Sequence, residues 1–194
     1  MTGRRWAYVA GGVLLVALLV AAVVAGIEWL FAPEAAAPLE APAATAPPAE
    51  VAHITATLFY AAPDASALVG VRREVPLAEG TSAQGRQILE AQMEPAPEGY
   101  VSAIPEGTTV RAFYITERGD AFVDLAPEVT TRHPGGSAAE LLTVYAIVNA
   151  VTANLPSVQR VQILIDGREA DTLAGHVDLR RPLSPDPSLV RPAQ

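Results

Sequence analysis

Apolar positions follow three rhythms along this chain. The first is a block: Trp6 to Ile27 carries no charge, with Arg4 and Arg5 before it and Glu28, Trp29 and Phe31 after it. A helix of this length rises roughly 33 Å, enough to cross a hydrocarbon core of about 30 Å with some tilt. The block predicts a transmembrane helix within residues 1–31, acting as a signal anchor. Arginines on one side and acids on the other place the N-terminus in the cytoplasm and everything after Phe31 outside. Trp6, Tyr8, Trp29 and Phe31 fall near the two interfaces. A cleaved signal peptide is the competing reading, with Val23-Val24-Ala25 or Ala35-Ala36-Ala37 as cleavage sites, but cleaved apolar regions are usually shorter.

The second rhythm is alternation. Ala52, Ile54, Ala56, Leu58 and Tyr60 fall on one side of a strand spanning Val51 to Tyr60, with His53, Thr55 and Thr57 on the other. Leu68 to Val75 is a further apolar segment. Thr109 to Thr116 and Ala121 to Leu125 flank Glu117-Arg118-Gly119-Asp120 and predict a hairpin. Arg160 to Ile165 turns Val161, Ile163 and Ile165 inward and ends at Asp166-Gly167, a tight turn. Gly175 to Leu179 offers one more short segment.

The third rhythm is helical. Thr81-Ser82-Ala83-Gln84 reads as a capping box opening a helix with Ile88, Leu89 and Met93 on one stripe, stopped before Pro95. Ser137-Ala138-Ala139-Glu140 reads as a second box. The helix it opens, to about Asn154, carries Leu141, Val144, Tyr145, Val148 and Val151 on its core face. Together these elements predict an α/β (α+β) domain, a small mixed sheet with two helices packed mainly on one face, over residues 51–183.

Composition sharpens the boundaries. Residues 32–50 hold nine Ala, five Pro and three Glu, a spacer biased to polyproline II. Residues 184–194, with Pro185, Pro187 and Pro192, read as a flexible or loosely docked tail. The 51% apolar content of the 194 residues is thus unevenly spread. The chain has no Cys and no Lys, which excludes disulfides, thiolate metal sites, an acylated cysteine, a Schiff-base lysine and a P-loop lysine. Its net charge of −8 argues against nucleic acid as a partner.

Little of the remaining chemistry converges. His53, His133 and His176 are scattered. Alternation sets His176 and Asp178 on one outward face, where a solvated pair outweighs a zinc site or a catalytic dyad. Gly135-Gly136-Ser137 lacks the surroundings of a phosphate loop or a nucleophile elbow, and capping accounts for Ser137. Asp64, Asp120 and Asp166 sit in turns, where Asp accepts local backbone hydrogen bonds. No catalytic, cofactor-binding or metal-binding residue is assigned. Ile104-Pro105-Glu106-Gly107 suits a type I turn, with Pro second and Gly fourth.

In its ordered pieces the domain resembles the GerMN family of sporulation and spore germination proteins. The most specific stretch is Ser102, Ala103, Ile104, Pro105, Glu106, Gly107 and Thr108, leading into the strand at Thr109. It is joined by Leu58-Phe59-Tyr60, Val123-Asp124-Leu125, Val158 to Gly167, and Gly175 to Leu179 with Pro182-Leu183. The resemblance implies an extracytoplasmic fold similar to ring-building motifs, whose members act as envelope scaffolds without established catalysis. The chain departs from the family in lacking a lipidated Cys, in having one domain where the sporulation protein has two, and in carrying Glu94-Pro95 where Gly-Pro is usual. A germination role does not carry over with the fold.

The expectation is a single-pass, membrane-anchored, non-enzymatic interaction module of the cell envelope, without cofactor, whose partner is an envelope protein or a second copy. The alternative is a module binding peptidoglycan or another glycan, with Tyr60, Tyr100, Phe113, Tyr114 and Phe122 available for stacking; a cell-wall hydrolase comes third.

Overall fold

The computed structural model describes residues 52–192, which belong to the second of the two units, residues 1–49 and 50–194, into which the chain divides. The expected transmembrane helix and Pro/Ala spacer lie outside the described residues. Among the described residues no helix is long and apolar enough to cross a membrane.

Strand β1 (His53–Ala61) and strand β2 (Leu68–Pro76) form an antiparallel hairpin, with Ile54 opposite Val75 and Tyr60 opposite Val69. Helix α1 (Thr81–Met93) follows. A second antiparallel pair, β3 (Val110–Ile115) and β4 (Asp120–Leu125), precedes a single helical turn, α2 (Glu128–Thr131), and the long helix α3 (Ser137–Asn154). Strand β5 (Arg160–Ile165) returns parallel to β4 and turns sharply at Asp166-Gly167 into the two-residue β6 (Arg168–Glu169). The last described elements are a 3₁₀ turn at Pro187–Leu189 and a two-residue strand β7 (Val190–Arg191), parallel to β2.

The expected single sheet is in fact two: β1-β2-β7 and β3-β4-β5-β6. Alternation identifies strands but not their neighbours, and here the outer edge of β1 is closed by side chains instead of a strand. Gln92 accepts from the Phe59 N–H at 2.7 Å and donates to the Phe59 carbonyl at 2.8 Å. Asn154 does the same for Thr57, at 2.8 and 2.7 Å. Val101 completes the row with a reciprocal backbone pair to Ala61. Both amides stand at the C-terminal ends of their helices, so α1 and α3 are each stitched to the same strand.

The long helix departs from the one-stripe expectation. Apart from Tyr145, every residue from Leu142 to Val151 is buried. It packs on β1 of one sheet, β5 of the other, and α1, and a helix enclosed this way is apolar on most of its circumference. Neither predicted capping box forms. Both helices start from glycines, Gly80 and Gly136, with φ of 85° and 86° and no side-chain cap. Gln84 instead accepts from Ala78 N–H and donates to the Pro76 carbonyl, and Glu140 is drawn away to a distant loop.

Within the tail, residues 186–191 are docked. Asp186 and Asn149 exchange hydrogen bonds, Asp186 caps the 3₁₀ turn through Ser188, and β7 adds to the sheet. Gly175 to Leu179 is loop, not strand.

Candidate functional site

The Ser102–Thr108 stretch is a loop between α1 and β3, fastened from several directions. The Ser102 hydroxyl donates to the Ile104 carbonyl at 2.9 Å, and Ile104 is buried. The backbone N–H and the hydroxyl of Thr108 both donate to the Pro105 carbonyl, at 3.2 and 2.7 Å. The turn is therefore Pro105 to Thr108, with Gly107 third at φ 81°, as in a type II turn. This corrects the expected type I turn beginning one residue earlier; the peptide bond at Pro105 is trans. Arg132, just past α2, donates to the Glu106 carbonyl at 3.2 Å and covers Gly107 so closely that a Cβ there would lie 2.7 Å from its guanidinium.

A deeper bond joins the loop to α3. The Thr143 hydroxyl donates to the Ala103 carbonyl at 2.5 Å and receives the Nε2–H of His133 at 3.1 Å. Gly135 N–H donates to His133 Nδ1 at 3.0 Å, which fixes that nitrogen as an acceptor. Burial pushes the imidazole below its ordinary pKa, in keeping with a neutral ring in this relay. Beside the loop opens a cleft of about 160 Å³, lined by Ala61, Val101, Ile104, Pro105, Pro134 and Leu142. Val101 at its rim is half exposed.

One turn along α3 from Thr143 lies Glu140, wholly buried. It accepts from Leu173 N–H at 2.9 Å and His176 N–H at 2.8 Å, and its Oε2 lies 3.0 Å from His176 Nδ1. Burial alone would raise its pKa; the amides of Ala174, Val177 and His176 and the His176 ring outweigh burial and lower it. Its place in the first turn of a helix favours the charge as well. The carboxylate thus binds the 173–177 loop over the start of α3. His176 and Asp178 do not form a dyad: Asp178 turns to Arg180, at 2.8 and 2.9 Å. His53 is on a separate strand.

Of the three turn aspartates, only Asp64 makes the expected local bonds, to the amide and hydroxyl of Ser66. Asp120 pairs with Arg160 at 2.8 Å and Asp166 with Arg111 at 2.9 Å, while buried Asp124 accepts from Gly167 N–H and Arg111. These are Arg–Asp ties across the second sheet. Among the described residues no cluster of His, Asp and Glu has a metal-holding arrangement. The aromatics divide: Tyr60 and Phe113 are core, Tyr100 is partly buried, and exposed Tyr114 stands opposite Phe122 on the second sheet.

Sequence reasoning missed Gln92, Thr143 and Asn154, and gave Glu140 a local capping role in place of its bonds to the 173–177 loop. Gln92 had a readable signal, since it stands three and four residues beyond Leu89 and Ile88 on the apolar stripe of α1, where an amide must find buried partners.

No curated protein matches the sequence. The structure is similar to the tandem GerMN domains of the sporulation protein GerM from Bacillus subtilis, with 20% identity and a TM-score of 0.55, over 70% of this chain and 46% of that one. The chain therefore spans less than half the length of that neighbour. The first GerMN domain of the same protein matches with 21% identity and a TM-score of 0.53, over 68% of this chain and 97% of that domain. At this identity the likeness establishes the fold. Family membership comes from the sequence itself: the Germane family model, described as sporulation and spore germination, matches residues 57–171, more than half of the chain, and the chain belongs to that family.

Proposed function

We propose that the protein is a membrane-tethered, extracytoplasmic interaction module of the cell envelope, performing no chemistry itself. The observation that carries this reading is the Ser102–Thr108 loop. It exposes Glu106 and Gly107 on a backbone held by Thr108, Arg132, Thr143 and the His133 relay. A display surface needs that preorganisation, because a rigid loop loses little conformational entropy when a partner closes on it. The tether rests on the apolar block and the Pro/Ala spacer of the sequence, and the class of partner on family membership.

Crosslinking in intact cells followed by affinity purification tests the reading. The wild-type chain is expected to yield a discrete envelope protein or a defined oligomer, and Glu106→Arg to reduce recovery of that species about tenfold at unchanged folding. A strictly monomeric chain recovering no partner overturns the reading. The exposed Tyr114 opposite Phe122 supports a second reading, glycan binding by ring stacking. Co-sedimentation with purified peptidoglycan that is lost in Tyr114→Ala would favour it; no co-sedimentation removes it.

A further inference from the structure

The edges of the two sheets are treated unequally. From Thr57 to Ala61 the outer edge of β1 is sealed by Asn154, Gln92 and Val101. On β3, Arg86 donates to the Val110 and Arg111 carbonyls. On β2, β7 covers only Leu68 and Val69. Pro192, outside β7, lines a cavity with Val69, Glu98 and Tyr100 and has no N–H with which to extend the ladder, and at the far end Gln84 takes the Pro76 carbonyl. Between these closures, Val71 to Val75 has no neighbouring strand among the described residues.

Residues 69, 71, 73 and 75 stand opposite the β1 residues that face away from the Gln92 and Asn154 seal, so Arg72 and Glu74 direct their backbone groups to the open edge, while the parallel Val69–Arg191 pairing takes the N–H of Gly70. Arg72 and Glu74 are exposed, on one face, and neither forms an ion pair among the described residues. The geometry points to this edge as a self-complementary surface on which a second copy of the chain pairs antiparallel, β2 to β2, about a two-fold axis at Arg73. That register sets Arg72 opposite the partner's Glu74 and Glu74 opposite the partner's Arg72, with Val71 opposite the partner's Val75. Sliding by two residues either way sets Arg72 against Arg72 or Glu74 against Glu74, which cross-strand repulsion disfavours. The two Arg73 side chains meet near the axis, but each is held by its own Glu94 at 3.0 Å and Tyr60 at 3.1 Å. The charges that keep an edge from indiscriminate pairing here leave one register open.

This inference rests on the proposed interaction role and supplies its surface. The absence of native cysteine makes the test direct. In a hydrogen-bonded antiparallel pair, opposite Cα atoms lie about 5.5 Å apart, within disulfide reach, whereas residues offset by two lie about 7–8 Å apart. Full-length Arg72→Cys and Glu74→Cys chains with different tags, mixed and oxidised, are expected to give at least about tenfold more disulfide-linked dimer than either alone. By native mass spectrometry of the full chain in lipid discs, Arg72→Glu is expected to lose self-association and Arg72→Glu with Glu74→Arg to recover it. Equal crosslinking in each single-cysteine chain, no crosslink between folded chains, or a dimer indifferent to Arg72→Glu overturns this surface. If an envelope partner is still captured in cells, the functional reading survives that loss; if neither partner nor dimer is found, both fall.

Discussion

Glu140 shows how one side chain can organise two segments. It is a carboxylate without solvent exposure, compensated by amides of the 173–177 loop and by the His176 ring. Replacing it by Gln removes the charge and aims an amide N–H₂ at groups that are themselves donors. Glu140→Gln is expected to cost about 2–4 kcal/mol in urea unfolding, because buried donors are left unpaired. The pH dependence follows from the lowered pKa: the folded state binds the proton less readily than the unfolded chain, so the stabilisation is complete at neutral pH. It is lost as pH falls below about 4.5 and through the folded value. Between pH 6 and 3 the wild type should lose stability more steeply than Glu140→Gln; parallel curves would remove Glu140 as the cause. The sequence placed Glu140 at a helix start, correctly, but assigned it the nearest amide. Its real partners lie more than thirty residues away, beyond any local pattern.

At the scale of elements, most strands and both longer helices were legible, since alternation and helical spacing are local consequences of burying one face. The parts not legible were those decided by what closes around an element. Leu142, Thr143, Ala146 and Ile147 are buried although they lie off the stripe assigned to α3, because packing partners surround the helix. The division into two sheets depends on Gln92 and Asn154 standing in for a strand. Gln92→Ala therefore strands the buried N–H and carbonyl of Phe59, and a loss of about 2–4 kcal/mol is expected. Hydrogen exchange at the Phe59 amide should quicken in this variant while the Thr57 amide, held by Asn154, remains protected. Gln92→Leu, which restores volume without the bonds, should not recover the loss.

For the whole molecule, the C-terminal segment is attached through the β2–β7 pairing, the Asn149–Asp186 bonds and the contacts of Arg191 with Asp64 and Ser66. Pro185, Pro187 and Val190 line, together with Phe59, Asn149 and Ala153, an open apolar cleft of about 350 Å³. Deleting residues 184–194 removes β7 and the Asn149–Asp186 bonds while keeping both helices and the rest of both sheets. A loss of about 2 kcal/mol with an unchanged fold is expected, from the apolar area uncovered around Phe59; complete unfolding would mean that the segment is integral to the core. The candidate loop was legible as a motif because its Pro, Gly and Thr stand close together. Its fastening was not, because Arg132 and His133 come from the connection after α2 and Thr143 from α3, all later in the chain.

The sealed edge of β1 also sets an order of events during synthesis. β1 is the first described strand to leave the ribosome, and its hairpin with β2 requires only nearby residues. The bond that closes Thr57, however, comes from Asn154, 97 residues later. Until that residue has emerged, the growing chain carries an open strand beside exposed apolar side chains, a form that a chaperone can hold. Closure of the first strand by one of the later helices makes the domain's completion a signal that nearly all of it has been made.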